Sequence, residues 1–143
     1  MILLVIHPLL QTLAISLAMY AAWLGWQRAA SLHYGRVDNF ERDRHVLVGS
    51  LALLMMLGGV AGGLIMVSRY LHRPVLNSLH GQVALVVLPF LLFGLFTGFY
   101  LYLNPARRKV LPAIHGFNNL LILFFTLLQL FTGIKYYLAL MAE

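Results

Sequence analysis

The sequence predicts an all-α integral membrane protein, an antiparallel four-helix bundle with four transmembrane helices, and three observations carry that prediction. Hydrophobic residues make up 62% of the 143 and charged ones only 10%, against roughly 45 to 50% and about 25% in soluble domains. Four apolar stretches each reach the roughly 20 residues that cross a bilayer at about 1.5 Å per residue. A unit of one helix plus one connection also recurs at an offset of 35 residues.

The first stretch, Ile2 to Trp26, has no basic leader and no small-residue cleavage pattern, so it is expected to be a retained helix rather than a signal peptide. Arg28 and Ser31 follow it. The second runs from His45 to Ser68 and is followed by Arg69 and Pro74. The third, Leu79 to Leu103, ends before Asn104, Pro105 and Arg107, and Pro89 at its middle is expected to kink it. Leu111 to Ala139 forms the fourth. Basic residues and helix breakers at the ends fit membrane boundaries. With no linker or low-complexity segment, residues 1–143 are expected to form one transmembrane domain.

Charge gives the orientation. Arg28, Arg36, Arg42 and Arg44 lie in the first connection and Arg107, Arg108 and Lys109 in the third, against Arg69 and Arg73 in the second. The positive-inside rule then places connections one and three on the cytoplasmic side and both termini on the other, in a plasma (inner) or another energy-transducing membrane. Lys135 can snorkel to the interface. This topology accounts for the net charge of +6 and the pI near 10.1 without a continuous basic patch, so nucleic-acid binding is not expected.

Composition also excludes chemistry. The chain has no cysteine, which removes disulfides, thiolate nucleophiles, cysteine-ligated clusters and covalent haem attachment. All four acids, Asp38, Glu41, Asp43 and Glu143, fall in connections or at the terminus, so neither hydrolysis nor group transfer is expected.

The repeat concentrates attention on histidine. Val75-Leu76 with Leu79-His80-Gly81 recurs as Val110-Leu111 with Ile114-His115-Gly116, and Leu95-Phe96-Thr97-Gly98 recurs as Leu130-Phe131-Thr132-Gly133. His45 lies 35 residues before His80, and His7 a further 38 before that. A glycine follows each by 18 residues: Gly25, Gly63, Gly98 and Gly133. Eighteen residues make five turns, so each glycine shares its histidine's helix face about 27 Å across the membrane. Close helix packing through small residues accounts for Gly58, Gly59 and Gly62, but not for a shared register with histidine.

An imidazole within a bilayer calls for a partner. In an antiparallel bundle, helices one and three share one diagonal and two and four the other. His7 therefore faces His80 toward the outer side, and His45 faces His115 toward the cytoplasm. Two imidazoles without nearby Cys, Asp or Glu are too few for a zinc site, but they suit the two axial positions of a haem iron. Two non-covalent haems b are expected, with Gly25 and Gly98 flanking the inner one and Gly63 and Gly133 the outer. Arg44, Arg107 and Arg108 would meet inner propionates, and Arg73 with Asn77 the outer ones. Filled axial sites point to an electron carrier or oxidoreductase subunit rather than oxygen binding. His33 and His72 are expected in connections, the tyrosines and tryptophans such as Tyr136 and Trp23 in interfacial belts, and Met19, Met55, Met56 and Met66 in the core.

Taken jointly, His7-Pro8-Leu9, Ser78-Leu79-His80, Thr97-Gly98-Phe99 leading to Leu103-Asn104-Pro105, and Pro112 before His115 resemble the core of the cytochrome b561 family. The likeness covers nearly the whole chain. Arg42-Asp43-Arg44-His45 looks closer still to a small four-helix branch of unknown function. The resemblance implies a di-haem b core with ligands paired between alternate helices and transmembrane electron transfer. Ascorbate-using members have six helices, whereas this chain has four. A quinone or redox protein would be the electron partner. A haem-bearing membrane anchor or accessory subunit of a larger redox or photosynthetic complex is the alternative role, and a proton-relay transporter a weaker one, since Gln11, Ser16, Gln82, Asn118, Asn119 and Gln129 are scattered.

Overall fold

The computed structural model describes residues 2–35, 40–106 and 108–142. Arg36, Asp38, Arg107 and Glu143, named above for their charges, lie outside them. The described residues form four long helices, α1 (Ile2–Tyr34), α2 (Arg42–Ile65), α3 (Leu79–Leu103) and α4 (Val110–Met141), and no strand. All four are long and apolar enough to cross a membrane.

The helix ends follow backbone chemistry more closely than hydropathy does. α1 does not stop at Arg28 or Ser31 but continues to Tyr34, because no breaker occurs until Gly35, which takes a left-handed φ of 64°. His33 thus lies in the last turn of a helix, not in a connection. α2 passes into a wider π-type turn at Met66–Tyr70. Before α3 a short 3₁₀ turn, Val75–Asn77, leads to Ser78, whose hydroxyl accepts the Gly81 N–H at 3.0 Å and caps the helix. A side chain at Gly81 would run into the Val75 carbonyl, so only glycine lets this turn fold back over the start of α3. The equivalent Gly116 faces open space.

α1 packs against α2 and α4, and α3 against α4 and α2, which leaves α1/α3 and α2/α4 as the two diagonals. The central layer is made of Ala14, Ile15, Leu53, Met56, Val87, Leu91 and Ile122. Since lipid is as apolar as this interior, close packing and polar contacts hold the helices rather than escape from water. The Gln11 amide lies directly on Gly59 and donates to Met55 O at 3.2 Å, tying α1 to α2. α3 runs unbroken through Pro89, and Asn118 of α4 donates to the next carbonyl, Phe90 O, at 3.0 Å.

Two further expectations are corrected. Gly58 and Gly62 do not serve helix contact: four residues apart, they share a face that meets open space, and only Gly59 is at the interface. Met56 is in the core with Met55 packed against it, but Met19 is exposed on the outside of the bundle.

Candidate functional site

The antiparallel arrangement brings the four repeat histidines into two pairs, one near each end of the bundle. His7 of α1 meets His80 of α3 with ring centroids 6.2 Å apart and planes at 85°. His45 of α2 meets His115 of α4 at 6.4 Å and 76°. Both separations suit a shared metal: imidazole nitrogens about 2.0 Å from one ion on opposite sides put the ring centroids roughly 6 Å apart. Among the described residues no three His, Asp or Glu gather to hold a metal ion by themselves. Each pair thus offers two imidazoles and no third protein ligand beside them.

The glycines meet the imidazoles, and they do so reciprocally across neighbouring helices. A Cβ on Gly25 of α1 would lie 3.1 Å from His45 Cε1 of α2, and one on Gly63 of α2 would lie 3.5 Å from His7 Cε1 of α1. In the other hairpin, a Cβ on Gly98 of α3 would stand 3.1 Å from His115 Cε1, and one on Gly133 of α4 would stand 3.0 Å from His80 Cε1. The spacing of 18 residues now has a cause. It is the distance along one helix to the depth where the antiparallel neighbour carries its own histidine. The immediate partner of each glycine is thus an imidazole edge.

Hydrogen bonds aim three of the four rings. His45 Nδ1 lies 2.9 Å from Ala21 O, which can only accept, so Nδ1 carries the hydrogen and Nε2 is left bare. His115 Nδ1 is 2.8 Å from Thr97 Oγ1 and His80 Nδ1 is 3.3 Å from Thr132 Oγ1. Among the described residues the His7 ring makes no hydrogen bond; its neighbours are Gly63 and the His80 ring. Tyr136, expected in the interfacial belt, lies with its ring parallel to His80 at 6.4 Å, and Phe40 is 5.5 Å from His45.

A cavity of about 1280 Å³ opens beside His45 and His115, lined also by Gly25, Gly98, Asn119, Arg28, Arg42 and Arg108. Arg108 carries a buried Nη1 with no hydrogen-bond partner, while its guanidinium carbon lies 5.2 Å from the Tyr100 ring centre. A buried, unsatisfied cationic N–H is costly, and here it fits an anionic group such as a propionate. Arg44 is placed differently. It pairs with Glu41, Nε to Oε2 at 3.0 Å and Nη1 to Oε1 at 3.1 Å, at an exposed position outside the cavity lining. Arg42 donates to the Leu101 and Tyr102 carbonyls that end α3 and lies over the Tyr102 ring at 4.9 Å. At the opposite end, Arg73 and Asn77 are exposed in the second connection. Quinone contacts have no comparable marker among these residues.

Thr97, Thr132, Asn119 and Arg42 are the site neighbours that sequence reasoning missed. A signal existed for the threonines, since both stand in the repeated Leu-Phe-Thr-Gly segment.

A family model described as eukaryotic cytochrome b561 matches residues 5–141, nearly the whole chain. No curated protein and no solved structure matches it.

Proposed function

The chain belongs to the cytochrome b561 family, whose members move electrons across membranes with b-type haem, and from that premise we propose that this protein does so through two haems b, one held near each end of the bundle. The observation that carries the proposal is the pair of facing imidazoles at 6.2 and 6.4 Å on the two helix diagonals. His7 with His80 and His45 with His115 are the axial ligands. Gly25, Gly63, Gly98 and Gly133 leave room for the rings and the macrocycle edges beside them. Arg108 holds a propionate at the His45/His115 end, with Arg42 nearer than Arg44 to that task; Arg73 and Asn77 are the candidates at the other end.

Bound haem b supplies reversible exchange of one electron between ferric and ferrous iron at each site. The residues of the chain do the rest. The paired histidines would hold the iron from both sides and so keep oxygen and water off it, the core from Ala14 to Ile122 would exclude water between the sites, and the helices would fix the distance over which electrons pass. By charge distribution the His45/His115 end faces the cytoplasm and both termini face away from it. The electron partner is a lipid-soluble quinone or a redox protein, and the cavity at that end, lined in part by Trp26 and Phe40, is where it would approach.

Reconstituted vesicles test this directly. With ferricyanide trapped inside and a membrane-impermeant reductant outside, the haem-loaded chain is expected to bleach the ferricyanide, and His80→Ala or His115→Ala to abolish the bleaching. Bleaching that persists in both variants would contradict a route through both sites.

A further inference from the structure

Thr97 and Thr132 are buried polar residues in the C-terminal thirds of apolar helices, at 8% and 5% exposure. Each stands one residue before a site glycine, and each hydroxyl reaches Nδ1 of the same histidine whose Cε1 that glycine accommodates. The Thr-Gly dipeptide is therefore one cradle, a hydroxyl for one ring atom and a missing Cβ for the next.

The proton inventory gives the cradle a direction. A threonine hydroxyl has one hydrogen. Thr97 Oγ1 lies 2.7 Å from Phe93 O, a contact between two oxygens that only a hydrogen bond permits, so the proton is committed to the carbonyl. Thr132 Oγ1 lies likewise 3.0 Å from Leu128 O. Toward the imidazole each hydroxyl can then only accept. Nδ1 must be the protonated nitrogen of His115 and of His80, and Nε2 must carry the free lone pair.

We propose that Thr97 and Thr132 are positioning residues that hold His115 and His80 in the Nδ1–H tautomer, with Nε2 bare and aimed at the haem iron. The proposal rests on the ligand assignment above. Thr97, at 2.8 Å, is the stronger of the two, and Thr132, at 3.3 Å, the weaker. An acceptor on Nδ1–H also makes the ligating nitrogen more basic, which favours ferric iron.

Thr126 supplies an internal control. It is equally buried and bonds Ile122 O at 2.9 Å, but it touches no histidine. Haemin titration of the apo-protein, with redox titration and electron paramagnetic resonance of the loaded protein, reads the effect. Thr97→Val is expected to weaken haem binding at the His45/His115 site by about 10- to 100-fold, raise that haem's midpoint potential and shift its low-spin ferric signal. Thr97→Ser should restore all three, Thr132→Val should act more weakly at the other site, and Thr126→Val should change nothing. If valine is not accommodated, Thr97→Ser against Thr97→Ala makes the same comparison. Wild-type affinity, potential and signal in Thr97→Val, while His115→Ala still loses a haem, would overturn the positioning role alone. A wild-type chain that takes up no haem would overturn the ligand assignment and this role with it.

Discussion

The two ends of the bundle are built from the same repeat but secure their histidines differently. At the His45/His115 end both rings are anchored through Nδ1, at 2.9 and 2.8 Å, and a buried arginine nitrogen waits unsatisfied at the cavity. At the His7/His80 end one anchor is longer, at 3.3 Å, and His7 is held by packing. That end invests instead in backbone: the Ser78 cap and the turn folded over Gly81 fix where α3 begins, and so where His80 stands. The contrast teaches that a sequence repeat conserves position more readily than it conserves the forces acting there. One end defines its site by hydrogen bonding, the other by the path of the chain.

The comparison can be broken at several points. The largest effect is expected from Gly81→Ala, where a methyl meets a carbonyl rather than a movable side chain; overpacking of this kind costs roughly 1–3 kcal/mol. Thermal unfolding in detergent should show that loss, together with weaker haem retention at the His7/His80 end, whereas Gly116→Ala should unfold like the wild type. Equal behaviour of the two variants would remove the distinction between the ends.

Comparable in size is Arg108→Gln, which removes the only cationic nitrogen that is buried without a partner among the described residues. A hydrogen bond to a charged group contributes about 1.5–3 kcal/mol, so haem affinity at the His45/His115 end should fall by roughly tenfold or more. Arg44→Gln breaks an exposed pair with Glu41 and should leave that affinity unchanged, because solvent screens such pairs. The reverse ranking in a haemin titration would return the propionate to Arg44.

Smaller and graded effects are expected at the four glycines. Alanine at Gly25, Gly98 or Gly133 places a methyl 3.0 to 3.1 Å from an imidazole carbon, so the ring must yield by a few tenths of an ångström, while at Gly63 the 3.5 Å gap is ordinary contact. Low-spin ferric spectra should shift in the first three variants and hold in Gly63→Ala. A shift in Gly63→Ala alone would mean that the macrocycle, not the imidazole, is what that glycine admits.

Much of this is legible in the sequence alone. Hydropathy and charge spacing mark four spans, and α3 keeps the bounds Leu79–Leu103 read from the sequence because a serine cap and a proline-containing turn bracket it. The diagonal pairing of histidines follows from connectivity alone, since short loops force neighbouring helices to be antiparallel. Lateral detail was not legible. An interval of 18 residues fixes a glycine's depth and face, but not that an adjacent helix would bring an imidazole to it. The Thr-Gly repeat was visible, yet a hydroxyl can satisfy itself on its own helix, and only the structure shows it also within hydrogen-bond distance of Nδ1. Arg44 lies one residue before a ligand candidate, but Glu41, one turn earlier, claims it first.

The most direct measurement is haem per chain, with a dithionite-reduced minus oxidised spectrum, for the wild type and for His80→Ala and His115→Ala purified from haem-replete cells. Two haems b in the wild type and one in each variant, with the two variants retaining spectrally different haems, are the predicted result. A single haem in the wild type, or a haem count unmoved by either substitution, would contradict two diagonal bis-histidine sites.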